Sequence, residues 1–169
     1  IYGLDLPIYD KNGGYTWNWL PFLWQNGGEF LNDDRTEATF NSPEGVEALE
    51  FWKKMVQEDK SLPLQAAPTG VNRFTSGITA MVIDGPWNLS TFLSDPKFKD
   101  KFGVAPLPQK KTQATVVGGE GVVAFSNTKS PQEAYDYLVH LTCSDFVQTF
   151  WENWITIPPQ PEFKDFYAN

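Results

Sequence analysis

The chain has 169 residues, 41% of them hydrophobic and 15% aromatic, and its 13 basic and 21 acidic side chains leave a net charge of −8. That length suits an ordinary domain able to bury a core, while an acidic chain with no Lys/Arg cluster repels phosphate backbones, so nucleic acid and anionic membranes are not the expected partners. No segment approaches the roughly 20 consecutive apolar residues of a membrane span, and the one cysteine, Cys143, excludes a disulfide within the chain.

Residues Ile1–Tyr9 alternate and suit a strand or extended lead-in, and Asp10–Gly14 (DKNGG) is a turn cluster. The aromatic-rich stretch Thr16–Asn26 reads as a helix closed by Gly27-Gly28. Phe30–Phe40 is a polar, hairpin-like excursion with Asn32-Asp33-Asp34 at its tip. The strongest helical pattern is Pro43–Glu58. Pro43 suits the first helical position, Asn41 or Ser42 can cap it, and Val46, Leu49, Trp52, Met55 and Val56 form one apolar stripe. Ser61–Pro68 is a loop.

The run Phe74–Trp87 (FTSGITAMVIDGPW) is the most informative stretch. Phe74, Gly77, Ala80 and Met81 are spaced like a short amphipathic helix closed by a glycine, and Ala80–Ile83 is an apolar run of strand length. Asp84-Gly85-Pro86 must then turn sharply, because Gly tolerates positive φ and Pro fixes its own. Trp87 follows at once, placed as a rigid frame would present an indole at the mouth of a cleft; a core tryptophan behind a loop is the equal alternative.

Asn88–Leu93 reads as a short helix, Phe102–Leu107 as a strand ended by Pro108, Gln109–Thr115 as a polar loop and Val116–Ser126 as a Gly-interrupted strand region. Ser130-Pro131-Gln132-Glu133 is a capping box opening a helix through about Leu141, and Ser144 can cap another through about Trp154. From Ile155 onward, Pro158, Pro159 and Pro161 forbid regular structure. Helices alternating with single strands, without internal repeats, predict α/β layering.

Catalytic chemistry finds little support. His140 is the only histidine, so the chain alone cannot build a histidine-based metal cluster, and helical spacing makes it a surface residue beside Tyr137 and Asp136. Cys143 lacks a second well-placed base. Asp33 and Asp34 share a turn where Asp is expected for local backbone bonding. Gly118-Gly119-Glu120-Gly121 has neither the spacing nor the lysine of a phosphate cradle. No enzyme activity, cofactor or metal is expected.

The 7 Trp, 6 Tyr and 13 Phe point elsewhere. A sugar ring has apolar C–H faces and a rim of hydroxyls; an indole covers the face, while carboxylates, amides and Arg read the rim. Packing accounts for Trp52 on its helix stripe and for Trp151 and Trp154. Of Trp19 and Trp24, at least one must face the core. Trp17 and Trp87 sit at element ends, where binding residues concentrate.

The pattern Phe-x-x-Gly-x-x-Ala-Met-x-x-x-Gly-Pro-Trp over 74–87 resembles the signature of extracellular solute-binding proteins of carbohydrate ABC importers, the maltose-binding-protein superfamily. Trp17–Leu31 (WNWLPFLWQNGGEFL), Phe40–Met55 (FNSPEGVEALEFWKKM) and Gly103–Ser126 (GVAPLPQKKTQATVVGGEGVVAFS) agree with it in the family's order, so the resemblance covers most of the chain. It implies an α/β fold that is part of a type II periplasmic-binding-protein fold. Residues 1–117 would be the C-terminal-lobe portion carrying half of the ligand cleft, and 118–169 an interlobe strand and helices packing on the N-terminal lobe. Members of the superfamily have two lobes and roughly twice this length, so the resemblance makes the chain the middle-to-late part of a longer protein. The missing N-terminal lobe, or a complementing chain, is then an expected partner.

The resemblance further implies binding of a disaccharide or oligosaccharide outside the cytoplasm, in the periplasm or on a cell-surface lipoprotein, and its delivery to the permease of an ABC importer. Lobe closure would do this without covalent chemistry and without a cofactor. Trp87 matches the aromatic that stacks on a sugar ring in sugar-binding members. Trp17 lies the same distance before Gly27-Gly28 as an aromatic ligand contact of the maltose-binding branch, where a Tyr stands. Gly118-Gly119-Glu120 falls where a strand crosses between lobes. Glycine there permits close ligand approach, and Glu120 would accept from sugar hydroxyls or else be a charge satisfied at the hinge. The competing readings are a carbohydrate-active enzyme or aromatic-rich binding module, and an engineered scaffold piece without activity of its own. Hydrolysis would require two carboxylates flanking the sugar, about 5–10 Å apart.

Overall fold

Ser42 and Pro43 start the longest helix, α2 (Pro43–Gln57): Ser42 is extended, its hydroxyl accepts from the Gly45 amide at 3.2 Å, and Pro43 follows where its missing N–H costs nothing. The computed structural model describes residues 1–6, 14–119, 121–143, 146–147 and 149–150, and the backbone alone of 14 and 15. Along α2 the buried line is Gly45, Ala48, Trp52 and Met55. Val46 and Leu49, expected on the apolar stripe, are exposed. At position 45 a Cβ would meet the Phe40 carbonyl, and the helix in front of α2 packs into the same core.

That neighbour is α1 (Gly14–Gln25), whose Trp19 and Leu23 enter the core while Pro21, inside the helix, cannot donate to the Trp17 carbonyl. Its end is a Schellman motif. Gly27 has φ +82, the Gly28 amide donates to the Leu23 carbonyl at 3.0 Å, and the Gly27 amide donates to the Trp24 carbonyl at 2.9 Å.

Strands β1 (Tyr2–Asp5) and β2 (Thr79–Val82) pair in parallel, with Tyr2 opposite Thr79, Leu4 opposite Met81 and Asp5 opposite Val82. Parallel pairing requires a crossover, and α1 and α2 lie within it. The exit of α2 is stitched to the sheet: the Met55 carbonyl accepts from Ser61 and Leu62, and the Ser61 carbonyl accepts from the Gly3 and Leu4 amides. Leu6, Trp19, Leu23, Ala48, Trp52, Met55 and Leu62 form the core. The hairpin-like excursion forms as expected, with an isolated antiparallel bridge between Leu31 and Ala38 and Arg35 at φ +60 in the turn.

Backbone contacts divide the chain into two compact units. The first comprises Ile1–Asp84 with Phe102–Val117; the second comprises Gly85–Lys101 with the described residues from Gly118 onward. In the first, the segment after Lys110 docks on the end of α1. The Gln25 carbonyl accepts from Lys111 at 2.9 Å and Thr112 at 3.3 Å, and its Nε2 donates to the Ala114 carbonyl at 2.7 Å. Lys110 donates to Glu47 Oε1, while Oε2 accepts from buried Asn26 at 2.8 Å. The second unit holds a 3-10 turn at Pro86–Asn88, α3 (Leu89–Ser94) and α4 (Pro131–Cys143). Phe92 of α3 is buried and meets Phe98 edge to face at 6.0 Å. No residue of α4 is buried, and Tyr135 and Tyr137 stand exposed on it.

Three local expectations are corrected. Residues 73–77 form consecutive turns rather than a helix; the Asn72 carboxamide binds the Phe74 and Thr75 amides and Gly77, at φ +70, ends the series. Phe102–Leu107 forms no strand, and neither do the described residues of 116–126. An apolar, β-branched pattern becomes a strand only beside a partner edge, and among the described residues the sheet has two strands. The expected turn Asp10–Gly14 falls outside the described residues up to Asn12-Gly13, and Gly14 already belongs to α1. Of the helix expected after Ser144, the pairs 146–147 and 149–150 are helical, and Ser144 itself lies outside the described residues.

Two predictions follow from the first unit's packing. An added Cβ at Gly45 would run into the Phe40 carbonyl. Gly45→Ala gains about 1 kcal/mol of helix propensity but forces residues 40–42 to move, at about 1–3 kcal/mol for an overpacked site; thermal denaturation should show a net loss of stability. Lys110, and then Asn26, hold the Glu47 carboxyl below the usual carboxylate range by hydrogen bonding. A depressed folded pKa contributes stability that is present above the ordinary carboxylate range and lost as pH falls through the folded value. The Lys111 and Thr112 amide resonances should therefore shift toward undocked values as pH falls below that range, and Glu47→Gln should abolish the transition.

Candidate ligand-binding site

Tryptophans of one helix meet opposite fates. On α1, Trp19 is 7% exposed within the core, while Trp17, two residues earlier, is 39% exposed and Trp24 is half-buried. Trp52 is buried on α2 and meets Phe22 edge to face at 5.6 Å. Trp151 and Trp154 lie outside the described residues.

Trp87 occupies the 3-10 turn and is 52% exposed. The reason for Gly85 differs from the expected one. Its φ is −107, which any residue adopts, so conformational freedom is not what the position requires. A Cβ there would instead collide with the six-membered ring of Trp87. The indole lies over the Gly85 backbone, which fixes it while half its surface stays open. Asn88 closes the turn by donating its amide to the Gly85 carbonyl at 3.3 Å.

Trp17 belongs to the first unit; Trp87, Gly118 and Gly119 belong to the second. Gly118 and Gly119 are exposed and without regular structure, and a Cβ at Gly119 would meet nothing within 4 Å. Glu120 lies outside the described residues. On α4, His140 is exposed and stacks on Phe146 with ring centroids 4.9 Å apart.

A polar constellation not singled out in the sequence lies at the carboxyl ends of β1 and β2. Arg73, 7% exposed, donates to Asp5 Oδ1 at 3.2 Å and to the Gln65 carbonyl. Beside this pair is a cavity of about 200 Å³ lined by Asp5, Ala67, Val71, Asn72, Arg73, Val82, Ile83 and Asp84. Asp5 is hidden within the alternation of a strand and its partner is 68 residues away, so no local signal pairs them.

Comparison with known proteins agrees with this architecture. Residues 8–167 match the family described as bacterial extracellular solute-binding protein. A Brucella abortus protein, named there only as a binding protein, is 30% identical over 154 residues, covering 87% of this chain and 37% of that protein. An ABC transporter solute-binding protein of Thermotoga lettingae, solved with alpha-D-tagatose, superposes with a TM-score of 0.74 at 27% identity over 91% of this chain and 40% of that one. The GacH receptor of Streptomyces glaucescens, solved unliganded and with acarbose, gives a TM-score of 0.82 at 25% identity, covering 98% of this chain and 42% of that receptor. The chain thus spans about two fifths of the length of the relatives it matches. Its α/β architecture is part of a type II periplasmic-binding-protein fold, and the chain belongs to the bacterial extracellular solute-binding protein family.

Proposed function

We propose that the protein of which this sequence forms a part captures a neutral disaccharide or oligosaccharide outside the cytoplasm, in the periplasm or at the cell surface, and delivers it to an ABC importer permease. Two lobes close about the sugar, the closed form is what the permease recognises, and no covalent bond changes. The observation that carries this reading is Trp87: an indole pinned on the Gly85 backbone and 52% exposed is a ready stacking face for a pyranose. Family membership supports it, as do the sugars in the Thermotoga and Streptomyces structures. Trp17 is a second stacking face, and Gly118, Gly119 and Glu120 border the cleft where the chain crosses between lobes. In this reading 1–117 is mainly C-terminal lobe and 118–169 packs on the other lobe. The change of compact unit between Val117 and Gly118 supports that division, although Gly85–Lys101 groups with the second unit.

In the full-length protein, Trp87→Ala should weaken sugar binding by about 1–3 kcal/mol, and Trp87→Phe by less, as measured by calorimetry. Unchanged affinity would remove Trp87 from the site, and new reducing ends after incubation with oligosaccharides would favour the carbohydrate-active enzyme. A cleft needs both walls, and losing even about 4 kcal/mol of contacts weakens binding nearly a thousandfold. This 169-residue chain alone should therefore bind no sugar tighter than millimolar. Micromolar binding by a 19.1 kDa monomer would make it a complete binding unit.

A further inference from the structure

We infer that a cavity at the exit of α2 is a second ligand site, separate from any sugar cleft, and that it takes a small carboxylate with an apolar body, such as a medium-chain fatty acid, whose charge Lys60 meets. Place is the first argument. The crevice of a parallel α/β sheet lies outside the carboxyl ends of its strands. This cavity opens instead beside Tyr2, the first residue of β1, and beside Val56 and Gln57 at the end of α2. At about 600 Å³ it falls within the roughly 300–1,000 Å³ of small-molecule sites.

The sign of the charge is the second argument. The chain carries a net charge of −8, yet no carboxylate lines this cavity, and the charged side chains that do are Lys60 and Arg73. Arg73 is already engaged by Asp5 and by the Gln65 carbonyl. Lys60 makes no ion pair or side-chain hydrogen bond among the described residues, and its neighbour Asp59 is held by Lys54 at 3.1 Å. Lys60 also stands at φ +50, in the left-handed region where glycine or asparagine is usual after a helix and lysine is strained. Strain kept at a cation on a cavity wall points to a use for the charge. A single available ammonium matches a singly charged carboxylate, whereas a doubly charged phosphate would want a second cation. The third argument is the wall. Leu62 and Pro63, both buried, back the cavity, and Val56, Leu64 and Pro68 line its sides. Leu64 is 64% exposed, so an acyl chain laid against it removes apolar surface from water.

The test uses the full-length protein, labelled at its Leu and Val methyl groups and titrated with octanoate, 1-octanol and octylamine, which share one chain and differ in head-group charge. Octanoate should bind with a Kd of about 0.1–1 mM and shift the methyl resonances of Val56, Leu62 and Leu64; octylamine should bind more weakly. Lys60→Met, which keeps an apolar stem, should weaken octanoate about threefold to fivefold. Lys60→Glu should weaken it about tenfold or more, because repulsion replaces attraction. Neither variant should change 1-octanol binding by more than about twofold, since that ligand carries no charge. Lys60→Gly relieves the left-handed backbone, so it should raise Tm while weakening octanoate as Lys60→Met does, which separates binding from stability. Octanoate that does not bind, that leaves these three residues' methyls unmoved, that binds no better than octylamine, or that is indifferent to Lys60→Glu overturns the site.

Discussion

The last carbonyls of an α-helix find no partner inside it, and how α1 disposes of its own organises the whole first unit. Gly27, in the left-handed region, turns the chain so that two amides fold back onto the helix end. The Gln25 carbonyl is left over, and the segment at Lys111 and Thr112 supplies its donors, bringing a distant part of the chain onto the helix. Asn26, buried next to it, donates to the Glu44 carbonyl and to Glu47 and so locks α1 onto the first turn of α2. Gly28 and Gly45 keep this junction tight, since a side chain at either would collide with Leu23 or with the Phe40 carbonyl. The core leucines and tryptophans then fill a space whose walls the polar groups have already set.

The same junction explains why some indoles of this aromatic-rich chain are buried and others stay exposed. Trp19 and Trp52 are consumed by the α1–α2 contact, and Phe22, Phe30 and Phe40 complete that aromatic packing. Trp17 sits at the first turns of α1, beyond the contact, and Trp87 sits on a turn whose own backbone supports it. An indole held on one face and open on the other loses little freedom when a ring stacks on it, which is the physical advantage of a rigid stacking surface over a mobile one. The acidic balance of the chain is compatible with a neutral ligand, whose capture does not depend on long-range attraction.

Ser42-Pro43, Gly27-Gly28 and Ser130-Pro131 mark element ends by local stereochemistry, and the structure places α2, α1 and α4 where those residues indicate. Trp87 was legible for the same reason, since Gly-Pro-Trp encodes its turn within three residues. Its orientation was not, because the demand for glycine at 85 comes from the indole above it and not from φ. Nor was the polar cluster around Arg73, whose members come from three separate stretches of chain.

The sequence by itself determined what depends on neighbours along the chain: caps, turns, helix extents and an apolar run of strand length at 80–83, which overlaps β2 (Thr79–Val82). Tertiary structure decided what depends on approach between distant segments. It put Gly45 and Ala48, rather than Val46 and Leu49, on the inner face of α2, where a Cβ at 45 would meet the Phe40 carbonyl. It left 102–107 outside the sheet despite a strand-like pattern, because a strand is completed by ladder hydrogen bonds to another edge and the pattern does not carry its partner.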